Sequence, residues 1–418
     1  MFLIVWKALK AVENHKRDGV FREGVGMKAN TKTFRNVFAL GFVSFFTDVS
    51  SEMVFSLLPT FIIRLPGSGS AVLGLIEGVA EFLSYGMRVV SGIFSDRFRK
   101  RKLLVLVGYS LSNIVKPLFA VAQTAFEALA IRVTDRIGKG VRTSPRDALL
   151  SESVPEERRG IAFGLHRTLD QTGAILGPLI ASLGLYALGL TVRDIFWISL
   201  IPGTAALVVL LVFVEERLGK SSNGFRLLTD VHEILKGRFL SLLLVVGIFS
   251  LGAFNFSFVL LNASQAGIEE RIIPIVYALI NLTHTIIAIP SGALSDKIGK
   301  EKVLLIGYVM FLAAAVSLYL FPSNYLFAFL IALIFGVYDG IVNTVARALV
   351  PKYAENSLRG TAYGLYYLVV GSCFLVANVV VGTLWQTFGP SSAAVYSITF
   401  SSTAILGMLM FIIRQKRL

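Results

Sequence analysis

Long apolar stretches alternate with short polar ones along almost the whole chain. From residue 36 onward each apolar stretch is about 20 residues or longer, enough to cross roughly 30 Å of hydrocarbon as an α-helix. None shows the alternation over about ten residues that is typical of an outer-membrane barrel strand. The pattern predicts twelve membrane-spanning helices. They cover about 36–63, 71–94, 103–122, 125–148, 160–188 and 194–214 in the first half, and 239–263, 272–294, 303–321, 325–349, 361–386 and 393–413 in the second.

The two halves repeat one another. The segment beginning Gly92-Ile-Phe-Ser-Asp-Arg, after the second predicted span, is matched 200 positions later by Gly292-Ala-Leu-Ser-Asp-Lys. The same offset relates Gly164 to Gly364, far downstream. We therefore predict an all-α polytopic membrane protein made of two pseudo-symmetric six-helix bundles, an arrangement typical of secondary transporters.

Composition agrees with this interpretation. Hydrophobic residues make up 55% of the chain, charged residues 16%, and mean hydropathy is +0.72, which is too apolar for the wetted surface of a soluble protein. The net charge of +14 comes mostly from loops on one side of the predicted bundle. By the positive-inside rule, those loops and both termini are expected in the cytoplasm, with the helices in the plasma membrane. The charge then needs no nucleic-acid partner.

Polar segments divide the chain into four parts. Residues 1–33 are expected to form a disordered N-terminal leader, within which Met27 looks like an alternative start. Residues 34–214 and 239–418 are expected to form the two bundles. Between them, residues 215–238 form a basic cytoplasmic linker that contains residues which break regular structure, such as Gly219 and Gly224.

The two matching loops carry a pattern of glycine, aspartate and basic residues. It consists of Gly92, Asp96 and Arg97 in the first loop and of Gly292, Asp296 and Lys297 in the second. This pattern resembles the loop signature of the major facilitator superfamily, although Arg99 stands where that family usually has glycine. The resemblance covers nearly the whole chain and implies the twelve-helix fold and alternating access. It also implies a conformational latch in which basic residues 97–102 pair with an acid at the end of span 4, Asp147 being the leading candidate. The alternative is that the basic cluster only fixes topology.

Span 5 contains a second motif. Gly173-Ala-Ile-Leu-Gly177-Pro178-Leu-Ile-Ala181 resembles the antiporter signature of the superfamily, which has glycine at the position of Ala181. The two glycines make a smooth face for close helix packing, and Pro178 removes a backbone hydrogen bond and bends the helix. The resemblance implies export of a substrate in exchange for protons. The alternative is an ordinary small-residue packing face.

The predicted spans of the first half contain many ionisable residues. Such groups are costly at bilayer depth and are kept where they face a cavity or a partner. A proton-coupled exporter needs a carboxylate whose proton affinity differs between its two states, which burial and a neighbouring cation can provide. The candidates for proton coupling or substrate binding are Asp48, Glu52, Glu81, Lys116, Arg132, Asp135, Arg136, His166 and Asp170. Asp48 and Glu52 lead, because span 1 usually lines the cavity in the superfamily. Structural salt bridges are the alternative.

The second half is poorer in charge. Its candidates for the cavity wall are Asn255, Asn281, His284, Asp339 and Asn343. Aromatic residues of the same half are expected to add apolar surface to the cavity.

The sequence therefore predicts a secondary active transporter, a proton-driven exporter of a small organic compound that works as a monomer without a cofactor. No Gly-x-x-x-x-Gly-Lys-Ser/Thr loop for nucleotide phosphates and no catalytic motif is found, so neither an ATP-driven pump nor an enzyme is predicted. Two alternatives stay open. The run around Asp135 resembles relatives assigned to nickel or iron handling, which implies a divalent-metal or metal-chelate exporter as one alternative. His166 and Asp170 would then be two ligands, to which Glu52, Asp48 or His284 could be added. Basic residues in spans 3 and 4 would equally suit an organic-anion uptake carrier.

Overall fold

The structure, a computed structural model, describes residues 31–98, 100–216, 235, 237–354 and 359–416. Within these residues the chain forms helices joined by short turns, and no β-strand occurs. Residues 1–30 of the predicted leader and residues 217–234 of the predicted linker lie outside the described part, so the expectations for them stay predictions.

Six helical rods form the first half. Span 1 consists of Thr31–Phe55 and Leu58–Ile63, span 2 is Ser70–Phe98, and span 3 is Arg101–Val115 with the tighter turn Lys116–Ala120. Span 4 is Ala125–Glu152, span 5 is Arg159–Ala187, and span 6 consists of Val192–Ile198 and Leu200–Phe213.

Six more rods form the second half. Span 7 consists of Gly237–Gly252 and Phe256–Gln265, span 8 is Ile273–Ile298, and span 9 is Lys300–Leu320. Span 10 is Tyr325–Tyr353, span 11 is Arg359–Phe388, and span 12 is Pro390–Lys416. The predicted twelve-helix fold is confirmed. Several helices run further than hydropathy indicated, because a helix can continue into polar surroundings where its apolar stretch has already ended.

Three spans differ from the rest in polarity. Among the described residues, nine of the twelve spans are long and apolar enough to cross a membrane on composition alone. Spans 2, 4 and 5 are the exceptions, since each carries several charged side chains. A charged helix is tolerated in a bilayer when its polar face is turned toward protein or a wet cavity. These three spans are therefore expected to lie around an internal polar site.

The helix starts preserve the sequence repeat. Thr124 caps span 4 by accepting a hydrogen bond from the Glu127 N–H, and the Glu127 carboxylate accepts in return from the Thr124 N–H. At the equivalent point of the second half, the Asn324 side chain accepts from the first backbone N–H groups of span 10. Spans 4 and 10 thus begin at positions 200 residues apart, by the same kind of cap.

The two halves meet along two seams. Span 2 packs against span 11, and span 5 packs against span 8. Small residues make the first seam close: a Cβ built on Gly78 would lie 3.0 Å from the Leu375 carbonyl oxygen. Such contact between backbones is typical of membrane helices that pack through glycine.

The halves are joined at one end of the bundle, and the seam between spans 5 and 8 opens at the other. We call the end with the lysine- and arginine-rich loops between spans 2 and 3 and between spans 8 and 9 the basic end. At the opposite end, Arg64 and Glu270 join the halves with an ion pair of 2.6 Å, and Ser182 Oγ donates to the Arg271 carbonyl oxygen at 2.6 Å. Toward the basic end, a Cβ built on Gly164 of span 5 would meet no described part of another helix within 4 Å. The seam between spans 5 and 8 therefore opens toward the basic end.

Candidate functional site

A cavity of about 360 Å³ lies between the halves, from the middle of the bundle to the basic end. This volume lies within the range of about 300–1,000 Å³ that is usual for small-molecule sites. The wall from the first half carries Asp48, Glu52, Glu81, Arg88, Arg136, Lys139, Arg142, Arg146, Asp147, Arg167 and Asp170. The wall from the second half is richer in aromatic and amide side chains, and its ionisable groups other than tyrosine are His284, Asp339 and Arg347.

The nine proton-coupling candidates divide into two layers. Five of them line the cavity, namely Asp48, Glu52, Glu81, Arg136 and Asp170. The other four lie behind the wall and are buried, namely Lys116, Arg132, Asp135 and His166. All five candidates of the second half line the cavity, namely Asn255, Asn281, His284, Asp339 and Asn343.

The buried layer is centred on Arg132. Its guanidinium is fully buried and pairs with Glu77 at 2.8 Å, while Asp135 lies 3.7 Å away on the same helix. The guanidinium carbon lies 4.0 Å from the centre of the Phe55 ring, which adds a cation–π contact. Arg132 thus faces protein rather than the cavity.

Polar side chains also hold Asp135 and Lys116 in this layer. The Asp135 carboxylate accepts a short hydrogen bond from Ser112. Lys116 Nζ donates to Ser51 Oγ at 2.6 Å and to Asn113 Oδ1 at 2.9 Å. These contacts favour the structural alternative for Lys116 and Asp135, because each group is held by neighbours within its own half.

The cavity wall of the first half is also paired. Glu81 Oε1 lies 3.2 Å from Arg136 Nε. The Glu52 carboxylate accepts a hydrogen bond of 2.6 Å from the Tyr277 hydroxyl of the second half. The first pair joins two of the sequence candidates, and the Glu52 bond joins one candidate to a residue of the other half.

A longer hydrogen-bonded chain crosses the cavity. Asp339 Oδ2 lies 2.7 Å from His284 Nδ1 in the second half. His284 Nε2 lies 3.2 Å from Arg167 Nη2 in the first half. Arg167 Nη1 in turn donates to Asp170 Oδ2 at 2.7 Å, and Ser44 donates to the other oxygen at 2.5 Å. The chain joins span 10 to span 5 through a single histidine. We call it the cross-half chain.

The partners of His284 assign different roles to its two ring nitrogens. A guanidinium can only donate, so in the bond of 3.2 Å Nε2 accepts from Arg167. A carboxylate can only accept, so Nδ1, 2.7 Å away, donates to Asp339. One ring nitrogen is thus engaged with each half of the protein.

Amide side chains hold the rest of the seam. Asn281 Nδ2 donates to the Ala174 carbonyl oxygen across the halves at 3.0 Å. Asn343 Nδ2 donates to Asp339 Oδ1 at 2.6 Å, one turn along span 10. Asn255 Nδ2 lies 3.4 Å from Glu77 Oε2 of the first half. Two of the three amides therefore cross between the halves.

The geometry gives no support to the metal alternative. His166 is buried and does not reach the cavity, although Asp170, one turn along span 5, does. Nowhere in the described part of the chain do three His, Cys, Asp or Glu side chains come together as metal ligands would. His166 and Asp170 therefore lack further ligands of these types.

The described part of the basic cluster pairs with acids other than Asp147. Among described residues, Asp147 pairs with its neighbour Arg146 at 2.8 Å and not with the basic cluster. The basic cluster instead contributes Arg101, which pairs with Glu152. The backbone N–H groups of Arg101 and Lys102 also donate to the Glu216 carboxylate, at 3.1 and 2.9 Å. The acids that hold this loop are therefore Glu152, five residues after Asp147 in span 4, and Glu216, just after span 6.

The other latch residues stay predictions. The side chains of Asp96 and Arg97 lie outside the described part. Asp296 and Lys297 are exposed, and no described residue pairs with them. A Cβ on Gly92 or Gly292 would make only ordinary contacts, at 3.5 and 3.6 Å, so neither position requires glycine in this state.

The second half has an equivalent ion pair with the charges exchanged. Lys352 Nζ lies 2.5 Å from Glu301 Oε1. Glu301 is 200 positions after Arg101, and Lys352 is 200 positions after Glu152. The repeat has thus kept the contact between the same two helix ends while reversing its polarity.

The predicted antiporter-like motif packs span 5 against span 1. A Cβ on Gly177 would lie 2.7 Å from the Val49 carbonyl oxygen, and Gly173 faces the Phe45 carbonyl even more closely. Pro178 follows within the same helix. This is the close packing that the small-residue alternative describes, and the antiporter role itself stays a prediction.

The candidate lists from the sequence did not include Arg167, Arg347 or Tyr277. Arg167 stands three positions before Asp170, the spacing of an ion pair on one helix face. Arg347 follows Asp339 at two helical turns, which places both on one face of span 10. Nothing local marks Tyr277, because its partner Glu52 is 225 residues away.

Comparison with known proteins agrees with the fold. The family model for the Major Facilitator Superfamily matches residues 40–378. An uncharacterized MFS-type transporter of Methanocaldococcus jannaschii is 36% identical over 358 residues, which are 84% of this chain and 89% of that protein. The multidrug resistance protein MdtG of Dickeya zeae is 23% identical over 340 residues, 79% of this chain and 82% of that protein.

Among solved structures, the nucleoside transporter NupG superimposes with a TM-score of 0.70 at 14% identity, and the match covers 90% of this chain and 98% of that one. That likeness concerns the fold alone. With the family match over most of the sequence and twelve spans around a central polar cavity, the chain belongs to the major facilitator superfamily of membrane transporters.

Proposed function

We propose that this protein is a proton-driven exporter that moves a small organic compound by alternating access. The observation that carries the proposal is the cross-half chain, in which His284 connects Asp339 to Arg167 and Asp170. Histidine is the side chain whose charge changes most readily near neutral pH. In this structure His284 forms the hydrogen bond with Arg167 that joins the two halves at this point.

Protonation and the cross-half bond exclude each other. A second proton on His284 would occupy Nε2, which would then be a donor facing the donor of Arg167. Two positive charges at about 3 Å repel each other, so the bond of 3.2 Å breaks and the seam between spans 5 and 8 loosens. Loss of the proton restores the bond. Proton binding is thereby coupled to separation of the halves, as exchange transport requires.

Asp48 is the second proton carrier in this proposal. Its carboxyl group is within hydrogen-bonding reach of Asp170, on the same wall of the cavity. Two carboxyl groups in contact away from water are stable when one holds a proton and donates it to the other. Arg167 controls this pair, because it neutralises Asp170 in the present state.

Export is favoured by the side on which the cavity opens. The basic end is the cytoplasmic end if the positive-inside rule holds here. A cavity open at that end accepts substrate from the cytoplasm. The name of the Dickeya relative, a multidrug resistance protein, points in the same direction.

Proteoliposomes containing the purified protein test the proposal. With an imposed pH gradient, addition of an exported compound should produce substrate-dependent proton flux. H284Q should abolish this flux, because glutamine cannot change charge. H166Q is the matched control, since His166 is also buried but lies off the cavity, and it should keep most of the wild-type flux. Proton flux at the wild-type rate in H284Q would refute the mechanism.

A further inference from the structure

Two arginines that face the cavity from opposite halves have no acidic partner among the described residues. Arg88 belongs to span 2 and Arg347 to span 10, and both line the cavity. Nε and Nη1 of Arg88 are buried without a hydrogen-bond partner in the described part of the chain. The Arg347 guanidinium likewise has no described ion-pair partner, and the residue is exposed to the cavity mouth.

The nearby acids are already engaged. Glu81, a cavity acid on the same helix as Arg88, pairs with Arg136 at 3.2 Å. Asp147, a cavity acid of span 4, pairs with Arg146 at 2.8 Å. Of the other cavity carboxylates, Glu52 accepts from Tyr277, Asp170 pairs with Arg167 and Asp339 pairs with His284. Asp48 lies beside Asp170. Among the described residues, none of the cavity carboxylates therefore forms an ion pair with Arg88 or Arg347, so both can pair with an added anion.

Tyrosine rings lie next to these arginines. The rings of Tyr85 and Tyr367 stack across the seam between spans 2 and 11, with centroids 5.6 Å apart and planes at 23°. The Arg88 guanidinium carbon lies 4.9 Å from the first ring and 5.9 Å from the second. The backbone of Arg347 is joined to the same group, because its carbonyl oxygen accepts a hydrogen bond of 3.1 Å from Tyr363, whose ring centroid lies 6.3 Å from that of Tyr367. Flat apolar faces and cavity-lining arginines thus occur together in one part of the cavity.

We propose that this part of the cavity is a subsite for the negatively charged group of a planar organic anion. The inference rests on the proposed export function and names its substrate class. Guanidinium groups bind carboxylate, sulfonate or phosphate oxygens through two parallel hydrogen bonds. Tyrosine faces suit an aromatic body next to that group. A cationic compound would meet repulsion at the same place.

The position of the two arginines gives the subsite a mechanical consequence. Because Arg88 and Arg347 belong to different halves, an anion bound by both draws the halves together at the basic end. An exporter open at that end needs such an attraction, since substrate binding must favour closure. The subsite thus links recognition of the anion to the first step of transport.

Binding of three matched naphthalene probes tests the inference. The anion is 2-naphthoate, the cation is protonated 2-naphthylmethylamine, and the neutral probe is 2-naphthalenemethanol. Dissociation constants are measured by calorimetry on the full-length protein in lipid nanodiscs. The anion should bind at least tenfold more tightly than either of the other two. R88Q and R347Q should each weaken anion binding at least tenfold, while K302Q, which removes a charge exposed outside the cavity, should change it less than twofold.

Several results would overturn the subsite. They are equal binding of the cation and the anion, no binding of the anion to the wild-type protein, and unchanged anion binding in both arginine variants. If R88Q does not fold, R347Q gives the same test at an exposed position, and R88K should recover part of the affinity. The assay uses no proton gradient, so its failure leaves the coupling mechanism intact. Conversely, loss of proton coupling with anion binding preserved would refute the proposed function but not the subsite.

Discussion

Replacing Arg132 by methionine should destabilise the first half far more than it changes the cavity. The guanidinium is fully buried, with Nη2 at 2.8 Å from Glu77 Oε2 and Nη1 at 3.7 Å from Asp135 Oδ2. Methionine keeps much of the side-chain volume but removes the charge. Glu77, itself 1% exposed, is then left with a negative charge that water cannot reach.

The cost follows from that uncompensated charge. Breaking a buried ion pair by removing one member costs roughly 3–5 kcal/mol. Coulomb's law for charges 2.8 Å apart gives about 6 kcal/mol at an effective dielectric constant of about 20, which is of the same order. The double variant E77L/R132M leaves neither charge behind. It should recover most of the loss, because apolar replacements of whole buried pairs are often neutral or stabilising.

A second pair with the same chemistry serves as the comparison. Glu81 and Arg136 are 3.2 Å apart, but Glu81 is 16% exposed to the cavity. Water in the cavity can therefore solvate part of the Glu81 charge once the Arg136 guanidinium is removed, so R136M should cost less stability than R132M. Since this pair lines the cavity, R136M should instead impair transport.

Thermal unfolding in detergent and flux in proteoliposomes separate the two effects. R132M should lower the unfolding temperature, and E77L/R132M should restore most of it and keep most of the transport rate. The reasoning fails if the double variant is no more stable than R132M. It also fails if the double variant folds normally but does not transport, because Arg132 would then belong to the coupling machinery rather than to the scaffold.

Three further predictions concern packing and the two ends of the bundle. R101E should lose about 1–3 kcal/mol of stability, because it places a second acid opposite Glu152. R101E/E152K should recover this loss, since the equivalent contact of the second half has the acid and the lysine in those positions. Unfolding in detergent measures both variants. Gly177→Ala should lower the free energy of unfolding by about 1–3 kcal/mol, because the new methyl group overpacks against span 1. Gly164→Ala should be close to neutral in the same assay, because a methyl group there meets no described part of another helix. The exposed ion pair of Arg64 and Glu270 stabilises the closed end by less than about 1 kcal/mol. R64Q should therefore increase the population open at that end, and with it the labelling rate of a cysteine introduced there, by less than about fivefold.

Apolar run length and the repeat were enough to predict the fold. A run of about 20 apolar residues has one stable arrangement in hydrocarbon, because backbone groups there must bond within the helix. Run length predicts spans 2, 4 and 5 least well, because their charged side chains make them too polar to be identified as membrane spans by composition alone. The repeat supports their assignment, because it places the charged span 4 at the position of the apolar span 10.

The sequence could not predict which charged groups face the cavity. Arg132 and Arg136 are one helical turn apart and share a face of span 4, yet only Arg136 lines the cavity. Both guanidinium groups lie against the Phe55 ring, at 4.0 and 5.0 Å from its centre. The cavity ends between them, where the halves close toward the opposite end. How far the cavity reaches along span 4 depends on how the two halves are arranged. Because the halves are distant in sequence, no local sequence pattern predicts that arrangement.

The same consideration explains why weak contacts hold the closed end. Alternating access requires two states whose free energies differ by only a few kcal/mol, so that binding can shift their populations. At the closed end, the exposed pair of Arg64 and Glu270 contributes up to about 1 kcal/mol, and the bond from Ser182 about 0.5–1.5 kcal/mol. Hydrogen bonds to charged groups are worth about 1.5–3 kcal/mol each. One anion held between Arg88 and Arg347 at the basic end would therefore offset the loss of these two contacts.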